Sequence, residues 1–243
     1  MNLRSVSISL MTLVAALAVA GCKDVPGRPE AVAARPDQVL NFDVLYKQNC
    51  AGCHGEEGKN GAAISLANPV YLAVAGTAVI QKTAANGVPG TLMPAFAESR
   101  GGMLTDQQIA VLAQGLESRW GKANALGGQT APPYASSSAG DPVQGQAAFG
   151  TFCAGCHGAD GNGVTRGRMH TGSLVDPAYL ALITDQGLRS FILAGKPGDG
   201  MPDWRTHMTG AGPRAMTDKE ITDVVAWLAS HRVAAPGQPY MHP

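Results

Sequence analysis

Aromatic side chains are scarce in this 243-residue chain: five Phe, five Tyr and three Trp. Large rings carry much of the bulk of an ordinary core. Either the core is thin for the length, or something other than side chains fills it. Charge is scarce too. Lys, Arg, Asp and Glu make up 15% of the residues, and 18 basic groups balance 18 acidic ones. A nucleic-acid binder carries a basic excess, so that class is disfavoured. Long apolar runs are missing beyond residue 20, which leaves no other segment of about 20 apolar residues to span a bilayer. Sustained strand-like alternation is also missing. Apolar residues nevertheless reach 45%, which excludes a disordered chain.

The one long apolar run lies near the start, over residues 3–20, with Arg4 ahead and small residues behind. That order of parts is a secretory signal over residues 1–21. Val19-Ala20-Gly21-Cys22 resembles the bacterial lipobox, in which the cysteine is acylated and becomes the first residue. Lipidation at Cys22 anchors the chain to a membrane, since each buried methylene of an acyl chain contributes about 0.8 kcal/mol. Residues 22–40, with Pro26, Pro29 and Pro36, read as a flexible tether. Lys23 stands where an inner-membrane retention signal has Asp, which favours the outer membrane.

Only five cysteines occur, and Cys22 belongs to the leader. The others form Cys50-Ala51-Gly52-Cys53-His54 and Cys153-Ala154-Gly155-Cys156-His157. C-x-x-C-H is the attachment pattern for c-type haem. Two thiols add across the two vinyl groups of one porphyrin, and the following His reaches the iron. Zinc held by four cysteines is the rival, but zinc needs no His after each pair. A thioredoxin-like redox pair would sit beside a βαβ pattern, which is missing.

Both motifs lie in a longer duplication. Asn68-Pro69-Val70-Tyr71-Leu72 matches Asp176-Pro177-Ala178-Tyr179-Leu180. Met93-Pro94-Ala95-Phe96 matches Met201-Pro202-Asp203-Trp204, and Leu104–Ile109 matches Met216–Ile221. Thr105-x-x-Gln108 and Thr217-x-x-Glu220 read as capping boxes at helix starts. The stripes Ile109, Leu112, Ala113, Leu116 and Ile221, Val224, Val225, Leu228 follow them at helical spacing. Residues 122–140 are rich in Gly, Pro, Ser and Ala and read as a linker.

The second axial ligand is expected from Met93 and Met201. They occupy the same place in each copy, and each precedes a proline that stiffens its loop. Met103 and Met216 are expected to pack beside the last helices. Met169, Met208, His170 and His207 have no counterpart in the first copy, and His207 is an alternative ligand near the Met201 loop. His231 and His242 are expected to be solvated, as are the arginines peculiar to the second copy, Arg189, Arg205 and Arg214 among them. Arg166 and Arg168 are candidates for the haem propionates. Trp204 is placed to wall the second haem, where the first copy has Phe96.

Each copy resembles a class I cytochrome c domain, over residues 41–121 and 141–233, with residues 234–243 as a tail. The pair resembles dihaem cytochromes of the cytochrome c4 type, and the cytochrome subunits of membrane dehydrogenases and oxidases. The resemblance implies an all-α fold of two tandem domains, each wrapping one haem c. It implies Cys50, Cys53, Cys153 and Cys156 as attachment points, and His54, Met93, His157 and Met201 as iron ligands. It also implies a crossing of first and last helices, with a glycine against an aromatic ring. The second copy keeps this as Gly145, Phe149 and Trp227. The first has Phe42, Tyr46 and Gly115, which reads as a reciprocal swap of volume. The Gly-Pro that usually follows the haem motif, and supplies an acceptor for the His, is missing from both copies. Ile64-Ser65 and Gly172-Ser173 are the stand-ins.

The expected function is electron transfer between membrane-associated or periplasmic redox partners, a membrane dehydrogenase or terminal oxidase complex among them. The chain then acts as an electron carrier or subunit rather than as an enzyme. The alternative is a dihaem redox enzyme, a peroxidase or an oxidant of sulfur compounds, with one labile haem ligand.

Overall fold

The computed structural model describes residues 34–167, 169–206 and 214–234. The signal, Cys22, most of the tether, Arg168, His207, Met208 and His242 lie outside the described residues. Residues up to Gln38 and those from Val39 onward are separate units. Of the first, a short 3-10 turn, Pro36–Gln38, is described, with Arg35 paired to Asp37.

The second unit is helical and carries the duplication. The first copy runs α1 (Phe42–Asn49), α2 (Ala51–His54), α3 (Pro69–Asn86) and α4 (Asp106–Trp120). The second runs α5 (Pro142–Phe152), α6 (Ala154–His157), a hairpin of β1 (Val164–Arg166) and β2 (Met169–Thr171), α7 (Pro177–Leu182), α8 (Asp185–Ala194) and α9 (Asp218–Ala229). α3 is broken at Gly76, whose φ is 72°. Its two halves therefore match α7 and α8, which part at the same place.

The caps follow the sequence reading. Asn68 accepts from the Val70 and Tyr71 amides, and Asp176 from those of Ala178 and Tyr179. Both capping boxes are complete, Thr105 with Gln108 and Thr217 with Glu220. Such caps satisfy amides that have no partner inside the helix. Both predicted stripes are buried. They form two hydrophobic clusters, one per copy, around Leu45, Leu72, Ile109 and Leu112 and around Phe149, Leu193, Ile221 and Val224.

The crossing of first and last helices differs between the copies. A Cβ on Gly145 would lie 2.0 Å from the Asp223 carbonyl oxygen, so in the second copy two backbones touch. In the first, the Phe42 ring lies over Gly115. The facing volumes are reversed as expected, but Trp227 has a different replacement. Trp120, five residues beyond Gly115, packs on Tyr46 with ring centroids 5.2 Å apart, as Trp227 packs on Phe149 at 4.4 Å.

Four expectations need correction. The sequence showed no strand, yet a short antiparallel hairpin interrupts the second copy, pairing Val164 with Thr171. Met103 is 82% exposed, because Leu104 takes the core position beside it. His231 is not free in solvent; its Nδ1 meets the Trp227 carbonyl at 2.9 Å and its ring abuts that of Trp227. Arg189 is buried. Its guanidinium donates to the carbonyls of Pro133 and Tyr134 and to Thr222 Oγ1, and pairs with Asp218. The segment that reads as a linker is thereby pinned to the second copy. Gln186 Nε2 also donates to the Tyr134 carbonyl at 2.8 Å, and Arg205 Nη1 to that of Ala125 at 3.0 Å. The Tyr134 ring meets Tyr71 of the first copy at 6.5 Å.

Candidate haem sites

Each C-x-x-C-H run forms a single helical turn at the end of the first helix of its copy. The His54 amide donates to the Cys50 carbonyl at 3.0 Å, and the His157 amide to that of Cys153 at 3.0 Å. The turn brings both sulfurs and the imidazole to one end of the first helix. None of the four is tied up in a disulfide, so every sulfur is available for a thioether. Before attachment, burial pushes the Cys50 thiol up to about 11 and that of Cys153 up to about 12, with the neighbouring cysteine adding to each. Burial lowers the pKa of His54 and of His157, which favours neutral imidazole, the form that binds iron. In His54 the Ile64 carbonyl works the other way, meeting Nδ1 at 2.7 Å. That leaves Nε2 as the nitrogen outside this bond.

The methionine loops are built alike. Each follows a glycine that ends a helix with φ 66°, Gly87 in one copy and Gly195 in the other. A Cβ on either glycine would lie 2.7 Å from the carbonyl oxygen of its methionine, Met93 or Met201. Only glycine fits both the backbone angle and the close approach. The Val88 amide donates to the Met93 carbonyl at 3.0 Å, and the Lys196 amide to that of Met201 at 2.9 Å. Both methionines are half-buried.

The chemistry of these residues fits a porphyrin rather than zinc. Among the described residues no group of three or more His, Cys, Asp or Glu could hold a metal ion. Among the described residues two buried polar atoms lack a partner, His157 Nδ1 and Trp204 Nε1, and both lie in the second copy. Phe96 takes the place of Trp204 in the first copy. Arg166, a propionate candidate, is exposed on β1.

Comparison with known proteins agrees with this geometry. The family described as "Cytochrome c" matches residues 142–232, and the family "Cytochrome C oxidase, cbb3-type, subunit III" matches residues 37–114. The chain is a dihaem class I cytochrome c. Two haem c groups are bound covalently, through Cys50 with Cys53 and Cys153 with Cys156. A relative, the cbb3-type cytochrome c oxidase subunit CcoP of Azospirillum sp. (strain B510), is 31% identical over 129 residues. That match covers 49% of this cytochrome and 38% of the relative, so the chain spans about two-fifths of the relative's length. A chain of the Kuenenia stuttgartiensis reducing HAO-like protein complex aligns over 83% of the cytochrome and 100% of its own length. Its identity is 18% and its TM-score 0.41.

Proposed function

We propose that the cytochrome is an exported, lipid-anchored electron relay whose two haems are both closed by His and Met. His54 and Met93 would hold the iron in the first domain, His157 and Met201 in the second. The observation that carries this is the shared build of the two methionine loops, each locked by a glycine against the methionine carbonyl. A loop held that way presents its sulfur repeatedly to the same place, which a gap-filling methionine does not require.

The haem supplies a reversible one-electron couple. The protein's residues do the rest. With a histidine and a methionine both holding each iron, no coordination site would be left for a substrate. The apolar walls, Phe96 and Trp204 among them, keep water from the site and favour the less charged reduced state. Charge is nearly even in each domain, 6 basic and 6 acidic residues over 41–122 and 8 against 9 over 141–233, which supports docking by contact rather than by long-range steering.

Cys22 carries the lipid, and residues 23–40 let the relay swing above one membrane. Among the described residues no helix is long and apolar enough to cross it. The partners are redox proteins at that membrane. The likeness to an oxidase subunit supports a terminal oxidase complex as one of them.

Optical spectra of the reduced protein with and without carbon monoxide, beside a pyridine haemochrome assay, test the closed relay. Two haems per chain and no shift with carbon monoxide are expected. A shift in either haem would overturn it and favour the enzymatic alternative. Replacing Cys22 with Ser should move the protein from the membrane to the soluble exported fraction.

A further inference from the structure

The two proximal histidines do not share one environment. His54 Nδ1 meets the Ile64 carbonyl at 2.7 Å. His157 Nδ1 is buried and has no partner among the described residues. The hairpin explains the difference. From His54 to Asn68 is 14 residues, and from His157 to Asp176 is 19, so the second copy carries five more. In the first copy the Ala63 amide donates to the Cys53 carbonyl at 3.0 Å, and the Ile64 carbonyl then reaches the imidazole. In the second, Thr171 stands in for Ala63, and its hydroxyl takes the Cys156 carbonyl at 2.5 Å while accepting from the Val164 amide at 3.0 Å. Gly172, the counterpart of Ile64, offers His157 no carbonyl. The second atom with no partner among the described residues, Trp204 Nε1, sits in a residue 4% exposed, where the first copy has Phe96.

Both differences act on the iron in one direction. An acceptor on Nδ1–H makes the imidazole a stronger electron donor and stabilises oxidised iron. Without it, the reduced form gains. A buried indole N–H with no acceptor among the described residues is a donor for the carboxylates that a porphyrin carries. Such a bond disperses negative charge near the iron and again favours reduction. Phe96 has no such donor.

We infer that the second haem has the higher reduction potential, set by the hairpin that removes the His157 acceptor and by the Trp204 N–H. Electrons then enter at the first domain and leave from the second. One electron leaves the first iron and one arrives at the second; no bond breaks and no proton moves. The inference rests on the His/Met reading above.

Spectroelectrochemical titration of the full, haem-loaded chain tests it. In one variant, residues 164–172 are replaced by Gly61-Ala62-Ala63-Ile64, which carries the missing carbonyl. The upper of the two midpoints should fall toward the lower, and the lower should stay. If the lower midpoint moves instead, or neither does, the inference is overturned. Should that variant fail to load its second haem, Trp204→Phe carries the test. The upper midpoint should again fall, and a fall in the lower one, or none, overturns the order. The ligand reading has its own readout, the methionine-to-iron charge-transfer band of the oxidised protein. Its absence from both haems would be a failure of ligation, and the inference would go with it. Its presence beside the wrong order would sink the inference alone.

Discussion

A methyl group at position 115 would lie 2.1 Å from Cδ2 of Phe42, so the first helix of the first domain meets the last through one ring on one bare backbone. Gly→Ala inside a helix ordinarily stabilises by about 0.5–1 kcal/mol. Here Gly115→Ala should instead destabilise by about 1–3 kcal/mol, because the ring must leave its rotamer. Phe42→Leu should also destabilise, through lost contact with Tyr46 and Trp120. The double variant should recover at least about 1 kcal/mol of the summed losses, since the residues touch. Urea unfolding of the four proteins measures this, and strictly additive losses would show that the contact does not set the crossing.

The parts legible in the sequence are those that a few neighbouring residues decide. The C-x-x-C-H turns, the Asx caps, both capping boxes and the buried stripes need only local spacing, and all lie where the sequence put them. The Ile64 carbonyl was a named stand-in because it sits close behind its own histidine. The parts that were illegible depend on distant partners. Trp120 replaces Trp227 from another turn of the helix, which no alignment by offset brings out. Arg189 looks like surface until the carbonyls of Pro133 and Tyr134, more than 50 residues away, close over it. The hairpin has no alternation to betray it, since each strand is only three residues long. Its extra length was visible as a growing offset, but its effect on His157 was not.

Arg189 ties the segment between the domains to the second one. Arg189→Met removes every donor of the guanidinium at once, which strips the Pro133 carbonyl and Thr222 Oγ1 of it and leaves the Tyr134 carbonyl with Gln186 alone. Each buried group stripped of its partner costs about 1–3 kcal/mol. The variant should lose about 3 kcal/mol of stability in the second domain. Chymotrypsin should then cut after Tyr134 under conditions that leave the parent intact. Thermal unfolding gives the first quantity and mass spectrometry of the digest the second. An undisturbed Tyr134 in the variant would mean that Gln186 alone suffices to hold the strap.

The two capping boxes differ in one atom type, and that makes one of them sensitive to acid. Gln108 does not titrate. Glu220 is held well below the usual carboxylate range, at about 2, chiefly by Arg214 and further by the Thr217 amide and hydroxyl. An ordinary glutamate titrates at 4.5, so the folded state binds this proton less readily than the unfolded one. The stabilisation is complete above pH 4.5 and is lost as pH falls toward 2. Between those limits the second domain should weaken with acid more than a Glu220→Gln variant does. Hydrogen exchange at the first turns of α4 and α9 reads both boxes in one sample. Parallel acid profiles for parent and variant would count against the linkage.

Asn68 has two tasks that a single substitution separates. Its Oδ1 caps α3, while its Nδ2 donates across the domains to the Ala194 carbonyl at 2.9 Å and toward that of Gly195 at 3.3 Å. Aspartate caps a helix as well as asparagine does. Asn68→Asp therefore keeps the cap and removes only the clamp, setting a buried carboxylate against two carbonyl oxygens. At the matching place in the second domain, Asp176 is exposed and serves only as a cap, so Asp176→Asn should change stability by less than about 0.5 kcal/mol. Asn68→Asp should cost several times more, and its unfolding should split into two steps where the parent shows one. Gly195 begins the Met201 loop, so the same variant should weaken the methionine-to-iron band of the second haem and spare the first. Calorimetry and near-infrared spectra of the two variants decide it, and equal effects at 68 and 176 would reduce Asn68 to a cap.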